Sequence, residues 1–441
     1  MFYLVEEEDK LIQLGRLVKL GCYIDIIPTN DYYHPKLSST VAVYIRILGS
    51  ENGYLIPINH SEGLNVAKDR VYSILKQSGK LYTLDKKKLL YYFNIQSATD
   101  LSLLYSMTTF ERLEYSKDNS TVNWYYSKYS DKQDLNSIIP ITKLYERCEN
   151  TFNSIEKYLD LEIPYGFEFY NQTATNVFYL LEQNGVGIEK NQFIELFTPK
   201  NPIYNIKGDR TYTSYNLYNS TSRPTSNFNS VNFAAIPKTE EHRTSFKPQN
   251  DFFVEFDFDG YHLRLLAEQI NYPLTEESAH KQLAKHYFGT EDITEEQYIQ
   301  AKQINFQAIY GKIPEEHKEL KIFREIQKYI DAMWSSFNES GYVCNTQSGK
   351  HFSKELKEMH PAKLMNYMMQ SLETSNNILI LKEVLRYLQD KKTFIALYTY
   401  DSVVIDLSLG DGKQVPNSIL KIMEGGGKFP VKWKAGKDLF L

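Results

Sequence analysis

Long apolar runs are missing from this 441-residue chain. None approaches the roughly 20 residues needed to span a bilayer, which argues against a membrane protein. The start, MFYLVEEEDK, carries acid where a signal peptide would have a basic stretch leading into an apolar one, so no such peptide is expected. Cysteine is scarce. Cys22, Cys148 and Cys344 lie far apart, fit no metal-binding spacing and cannot all pair, and a reducing cytosol is their simplest compartment. Excess charge is also small: the formal net charge is −5, which excludes a wholly basic nucleic-acid coat protein. It leaves room for a basic groove and an acidic centre on one molecule. No internal repeat is visible. The hydrophobic share of 42% and charged share of 24% are ordinary for a globular protein long enough for two or three domains.

Periodicity predicts a mixed α/β unit over residues 1 to about 150. A helical stretch, EEEDKLIQLGRLVKLG, precedes the strand-like runs CYIDIIP, VAVYIRIL and YLIPINH. Short helices are expected at VYSILKQ and KKLLYYF, and a polar stretch near residues 117 to 135 reads as a boundary. The pattern is helical from about 138 to 190, then irregular with short strands from 198 to 250. Beyond it come a strand, FFVEFDF, and helices at GYHLRLLAEQI, SAHKQLAKHYFG and TEEQYIQAKQINFQAIYG. A long helix at AKLMNYMMQSLETSNNILILKEVLRYLQD and a hairpin at FIALYTYDSVVIDL follow.

Three segments carry candidate chemistry. The strand FFVEFDF delivers Asp257 to its end, where a carboxylate can bind a hard cation without being buried alone. Asp401 sits between two apolar strands in LYTYDSVVID. Taken singly, each aspartate is most simply a cap or turn residue. On neighbouring strands the two could hold two Mg²⁺ ions about 3.5–4 Å apart. The third segment opens with a capping box, Thr294 to Gln297, and places Tyr298, Lys302, Phe306 and Tyr310 at four-residue intervals on one helical face. A core-facing stripe would not centre on a lysine. A stripe gripping a nucleotide would, with lysine at the phosphates and aromatics stacked on the base.

In order and spacing these segments resemble the three polymerase motifs of the DNA polymerase I family (family A). The family's first motif, Asp-Tyr-Ser-Gln-Ile-Glu-Leu-Arg, corresponds to Asp257-Phe-Asp-Gly-Tyr-His262-Leu-Arg264. The second corresponds to Lys302-Gln-Ile-Asn305-Phe306-Gln307-Ala-Ile-Tyr310-Gly311, and the third, His-Asp-Glu, to Tyr400-Asp401-Ser402. The likeness covers about residues 160 to 441. It implies a template-directed DNA polymerase acting without proofreading on primer–template DNA and dNTPs with two Mg²⁺ ions, for which Mn²⁺ can substitute. Asp257 and Asp401 would be catalytic, and these two with Phe258 would hold the metals. His262, His280, Lys302, Phe306 and Tyr310 would bind the nucleotide. Arg223, Asn232, Arg264, Asn366, Gln370 and Tyr400 would contact DNA; the amides of Asn366 and Gln370, one helical turn apart, suit minor-groove acceptors present at every base pair.

The implied fold is α/β (α+β): a right-hand palm and fingers with little or no thumb, preceded by a ribonuclease H-like domain of the exonuclease type. The expected division is a degenerate exonuclease-like domain over 1–150 and a polymerase domain over 151–441. Within the latter, the palm would cover 151–260 and 395–441 and the fingers 261–394, with the thumb mostly deleted near 190–211. The family's landmarks around the thumb, here Gly185-Val-Gly-Ile-Glu189 and Tyr212-Thr-Ser-Tyr215, leave only about two dozen residues between them, too few for a domain. Such a chain would be distributive unless a processivity or replisome partner replaced the thumb.

Other positions depart from the family. Tyr298 stands for an arginine, His262 for the glutamate that gates against ribose, and Tyr400 and Ser402 for the His and Glu beside the second aspartate. In the exonuclease-like part only Asp25 of the several carboxylates remains, and lysines occupy KLYTLDKKKLLYYF. A single-subunit RNA polymerase or primase-like enzyme is an alternative, because His262 weakens the deoxy-sugar argument. A non-catalytic DNA-binding scaffold derived from a polymerase is another. Small size and stripped domains imply a phage or mobile-element replicase in a bacterial cytoplasm.

Overall fold

The structure, a computed structural model, describes residues 1–197, 202–226, 231–310 and 313–441. Gly311 of the second motif and part of the reduced-thumb stretch therefore lie outside the described residues. The chain divides into two compact units: Met1–Gly185 with Lys190–Tyr218 and Ser226–Val231, and Val186–Glu189 with Asn219–Thr225 and Asn232–Leu441.

The first unit is built on a six-stranded sheet, β1 (Phe2–Leu4), β2 (Cys22–Pro28), β3 (Thr40–Ile47), β4 (Gly53–Pro57), β5 (Leu81–Thr83) and β6 (Thr99–Asp100), in the order β1-β4-β3-β2-β5-β6. Strands β4, β3 and β2 run antiparallel, while β5 and β6 continue parallel to β2. The sheet is therefore mixed, with parallel and antiparallel neighbours. Strands β2 and β3 are nearly continuous β-branched and aromatic runs because both faces are covered. Alternate residues Cys22, Ile24 and Ile26 join a core with Leu11, Leu14, Val71 and Leu89 from flanking helices. On the opposite face Tyr23 meets Phe152, and Tyr44 donates to Glu149, both from the amphipathic helix Ile141–Ile155. The polar stretch after residue 117 is not loose: Ser120–Tyr129 is helical, capped by Asn119, and lies inside this unit.

Two buried groups in this unit define how it responds to acid and to mutation. Glu182 and Lys87 form a buried ion pair. His34 is buried, with Nε2 3.2 Å from the Thr213 carbonyl and Nδ1 accepting from the Lys36 amide. Burial, then the Lys87 charge, pushes the His34 imidazole down to about 3. Above the unfolded value near 6.5 the ring is neutral in both states and costs nothing. As pH falls below that value, only the unfolded chain takes the proton, so stability is lost progressively down to about 3. Up to about 5 kcal/mol is at stake over this window. Urea denaturation of the wild type and of His34→Asn between pH 7.5 and 4.5 is expected to give a shallower acid slope for the variant; identical slopes would refute the assignment.

In the second unit, four strands form an antiparallel sheet: β7 (Phe252–Phe258), β8 (Phe394–Tyr398), β9 (Ser402–Leu407) and β10 (Val431–Gly436), in the order β8-β9-β7-β10. The helices expected from periodicity are present at Tyr261–Gln269, Ala279–Phe288, Glu295–Ile309 and Pro361–Leu388. The Thr294–Gln297 capping box is formed, with each partner accepting from the other's main chain. One long helix, Lys321–Ser340, was not anticipated, although Ile322, Phe323, Ile326, Ile330, Met333 and Phe337 bury a regular 3.6-period face.

Candidate active site

Antiparallel pairing of β7 with β9 sets Asp257 opposite Ser402, so Asp401 stands beside it at the tip of the β8–β9 hairpin. The Phe258 amide donates to the Asp401 carbonyl at 3.1 Å and fixes the junction. The hairpin closes through the Thr399 amide to the Ser402 carbonyl, and Tyr400 at its apex holds φ at 68°, a strained left-handed conformation. The Asn377 side-chain amide donates to the Tyr400 carbonyl at 2.6 Å, which helps to hold that turn.

Both aspartates face one cavity of about 380 Å³. Burial, then the charges of Asp401 and Glu255, pushes the Asp257 carboxyl up to about 6. Lost hydration, then the Glu373 charge, raises Asp401 as well. Two carboxylates that each resist ionisation share an electrostatic deficit that a cation would relieve. Among the described residues no three His, Cys, Asp or Glu side chains form a complete metal cage. The pair nonetheless fits Mg²⁺, which is commonly held by one or two carboxylates and completed by substrate phosphates and water. The Phe258 ring is stacked on Tyr261 at 4.2 Å, so only its main chain could serve an ion.

The helix Glu295–Ile309 and its C-cap bring Tyr298, Lys302, Phe306 and Tyr310 to the same cavity, while Ala301, Asn305 and Ala308 face inward. Helix Ala279–Phe288 packs beside it and contributes His280. The Asn305 amide lies 3.0 Å from His280 Nδ1 and donates to it, which places the ring proton on Nε2. Burial lowers His280 to about 4, so near neutrality it is an uncharged donor. Gly260 lets this helix come close: its φ is 60°, and a Cβ there would sit 3.2 Å from that of Ala279.

His262 also lines the cavity, with Nδ1 3.0 Å from the Tyr310 hydroxyl and Nε2 3.1 Å from Glu373. Arg223 pairs with Glu373 through Nε at 2.9 Å and lies 3.8 Å above the Tyr400 ring. On the other flank Lys432 of β10 donates to Asp259 at 2.8 Å and, against burial, holds that carboxyl below its ordinary range.

Of the expected site residues, Asp257, Phe258, Asp401, His262, His280, Lys302, Phe306, Tyr310 and Arg223 therefore line one cavity. Asn366, Gln370, Asn232, Arg264 and Tyr400 are not part of its lining. Gln370 donates to Asn366 at 3.0 Å and accepts from Thr221 at 3.1 Å. Asn232 is exposed and starts the short turn Phe233–Ala235. Arg264 departs most from expectation. It is buried, and its guanidinium donates to the carbonyls of Asp259, Thr275 and Glu277. These bonds brace the segment ahead of helix Ala279–Phe288. Glu373, Asp259 and Lys432 belong to the cavity but were not singled out in the sequence.

No known family profile matches the chain. No curated protein matches it in sequence. Among solved structures it is similar to the POL domain of Pol1 from M. smegmatis, determined in complex with DNA primer-template and dNTP. The TM-score is 0.73 at 12% identity, over 100% of this chain and 99% of the other. At that identity the likeness concerns the fold, and the fold is the mixed α/β architecture of a polymerase domain.

Proposed function

We propose that the chain is a template-directed DNA polymerase that joins dNTPs to a primer 3′-hydroxyl. One observation carries the reading: Asp257 and Asp401, 144 positions apart in sequence, are brought side by side into the cavity that the Lys302 helix walls. The fold's likeness to a domain solved with primer-template DNA and dNTP supports it. Two Mg²⁺ ions held by Asp257, Asp401 and the Phe258 main chain would acidify the primer hydroxyl and neutralise the departing pyrophosphate. Lys302 and the His280 Nε2–H bind the triphosphate. Phe306 and Tyr310 form the platform under the incoming base. Arg223, Asn366 and Gln370 lie on the side of the duplex.

The first unit is read as an exonuclease-type domain without hydrolytic activity. Its remaining carboxylate, Asp25, has Lys88 at 3.6 Å, and Asp31 is paired with Arg147 at 2.7 Å, so side-chain cations stand where ions would be needed. The neighbouring Lys86 and Lys87 are spent on Asn171, Gln172 and Glu182. The short stretch between Glu189 and Tyr212 is read as a lost thumb, its duplex grip supplied by a processivity partner.

Primer extension by the purified chain tests all three parts. Matched primers are expected to grow with dNTPs and Mg²⁺, by short increments under a heparin trap, and mismatched 3′-termini are expected to persist. No extension sinks the polymerase reading. Long products under the trap, or excision of the mismatch, sink the thumb and exonuclease parts respectively.

A further inference from the structure

Lys432 has no part in the chemistry described above, yet it lines the cavity. It stands on β10 directly opposite Asp257 of β7, so the two side chains share one face of the sheet. Its Nζ lies 2.8 Å from one Asp259 oxygen, and 66% of its side chain is exposed. An ion pair this open to water contributes little to stability, so the lysine can leave it easily. Asp259 is not stranded by that departure, because Arg264 Nη2 stands 3.9 Å from the other oxygen. The cavity meanwhile is short of available positive charge. Arg223 stands 2.9 Å from the buried Glu373 carboxylate. Helix Glu295–Ile309 offers Lys302 alone, and one turn earlier on the same face it carries Tyr298, a phenol. Lys432 reaches this region from a different element. The His280 imidazole is lowered by burial first, and the charges of Lys302 and Lys432 both lower it further. Lys432, raised chiefly by its bond to Asp259, lies within electrostatic reach of Tyr298 and Asp257 as well.

We propose that Lys432 is a nucleotide-binding residue that exchanges Asp259 for the triphosphate tail, so that strand β10 supplies the positive charge the helix face lacks at Tyr298. The proposal rests on the polymerase reading. A triphosphate brings several negative charges beside Asp257 and Asp401, and metal ions cover only part of them. With phosphates at Lys302 and His280, the tail comes within reach of an ammonium on a flexible four-carbon stem. Before nucleotide arrives, the Asp259 carboxylate holds that ammonium. Afterwards phosphate oxygens accept from it instead, through contacts that are charge-assisted in the same way. Asp259 and the nucleotide therefore compete for one cation, and neutralising Asp259 favours the nucleotide.

Two measurements test it, one of them without primer or template. In calorimetric titration with Mg²⁺-tripolyphosphate at low salt, the wild type is expected to bind. Lys432→Gln, which keeps the length and a donor for Asp259 but loses the charge, should bind about tenfold more weakly. Lys432→Arg should resemble the wild type, and Asp259→Asn should bind more tightly. In single-nucleotide extension, Lys432→Gln should raise KM for dNTP by about tenfold with kcat little changed. Adding Tyr298→Arg to Lys432→Gln should bring KM back toward the wild-type value, because it puts a cation one turn from Lys302. A lysine that served only as a structural partner of Asp259 would behave otherwise: Lys432→Gln and Asp259→Asn would shift binding in the same direction, and Tyr298→Arg would rescue nothing. Either of those results overturns the proposal, as does a wild type that binds no tripolyphosphate or a folded Lys432→Gln protein that binds it equally well. A wild type that extends no primer overturns the polymerase reading beneath it, and the titration then decides on Lys432 by itself.

Discussion

Asparagine at position 257 or 401 is expected to lower nucleotide incorporation by about 10³-fold or more while leaving the protein folded. Each change removes one carboxylate from a pair that has no third acidic ligand among the described residues to replace it. The stability effect has the opposite sign. In the metal-free protein Asp257 is pushed up to about 6, above its unfolded value. A carboxyl shifted this way weakens the fold at neutral pH, and the penalty fades as pH falls through about 6 toward the unfolded value. Asp257→Asn removes that penalty, so its melting temperature without divalent ions should equal or exceed that of the wild type at pH 7.5. Single-turnover extension and thermal melts on the same preparations check both halves. An Asp401→Asn protein within tenfold of wild-type activity would end the catalytic assignment.

The second large effect is on stability, in the first unit. Glu182 is buried and accepts from Lys87 Nζ, from the Tyr215 amide at 2.6 Å and from the Tyr91 hydroxyl at 3.2 Å. Lys87 also donates to Ser214 and to the Tyr215 carbonyl. One ion pair therefore ties helices Lys86–Phe93 and Thr175–Glu182 to the segment at 214–215. Burial raises the Glu182 carboxyl in spite of Lys87, so the pair depends on both members being present. Glu182→Ala or Lys87→Ala is expected to cost about 3–5 kcal/mol in urea unfolding, since each strands the other charge. The double change Lys87→Met with Glu182→Leu should recover much of that loss. Single variants that cost under about 1 kcal/mol would show that water reaches the pair.

Strand and helix positions around the cavity could be read from the sequence because they follow local rules. Alternation marks FFVEFDF, four-residue spacing marks Tyr298 to Tyr310, and Thr294 with Gln297 marks a helix start. Helix Lys321–Ser340 obeys the same rules and could have been read as easily. Glu373 was a different case. On the sequence it is one acid in a long helix, and its meaning comes from Arg223, 150 positions earlier, and His262, 111 positions earlier. Arg264 shows the converse. Its place in a motif implied a DNA contact; that it also donates to the carbonyls of Thr275 and Glu277 could not be read, because main-chain acceptors leave no mark in composition. Lys432 likewise meets Asp259 only because β10 pairs with β7.

That pairing also constrains how the chain can change. Val254, Phe256 and Phe258 are buried along β7, while Glu255 and Asp257 occupy the alternate places. Inserting or deleting a single residue upstream within the strand would exchange the two sets, turning the acids into the apolar layer and the phenylalanines toward solvent. Length changes here should survive only in twos, so the parity of a strand guards the chemistry at its end.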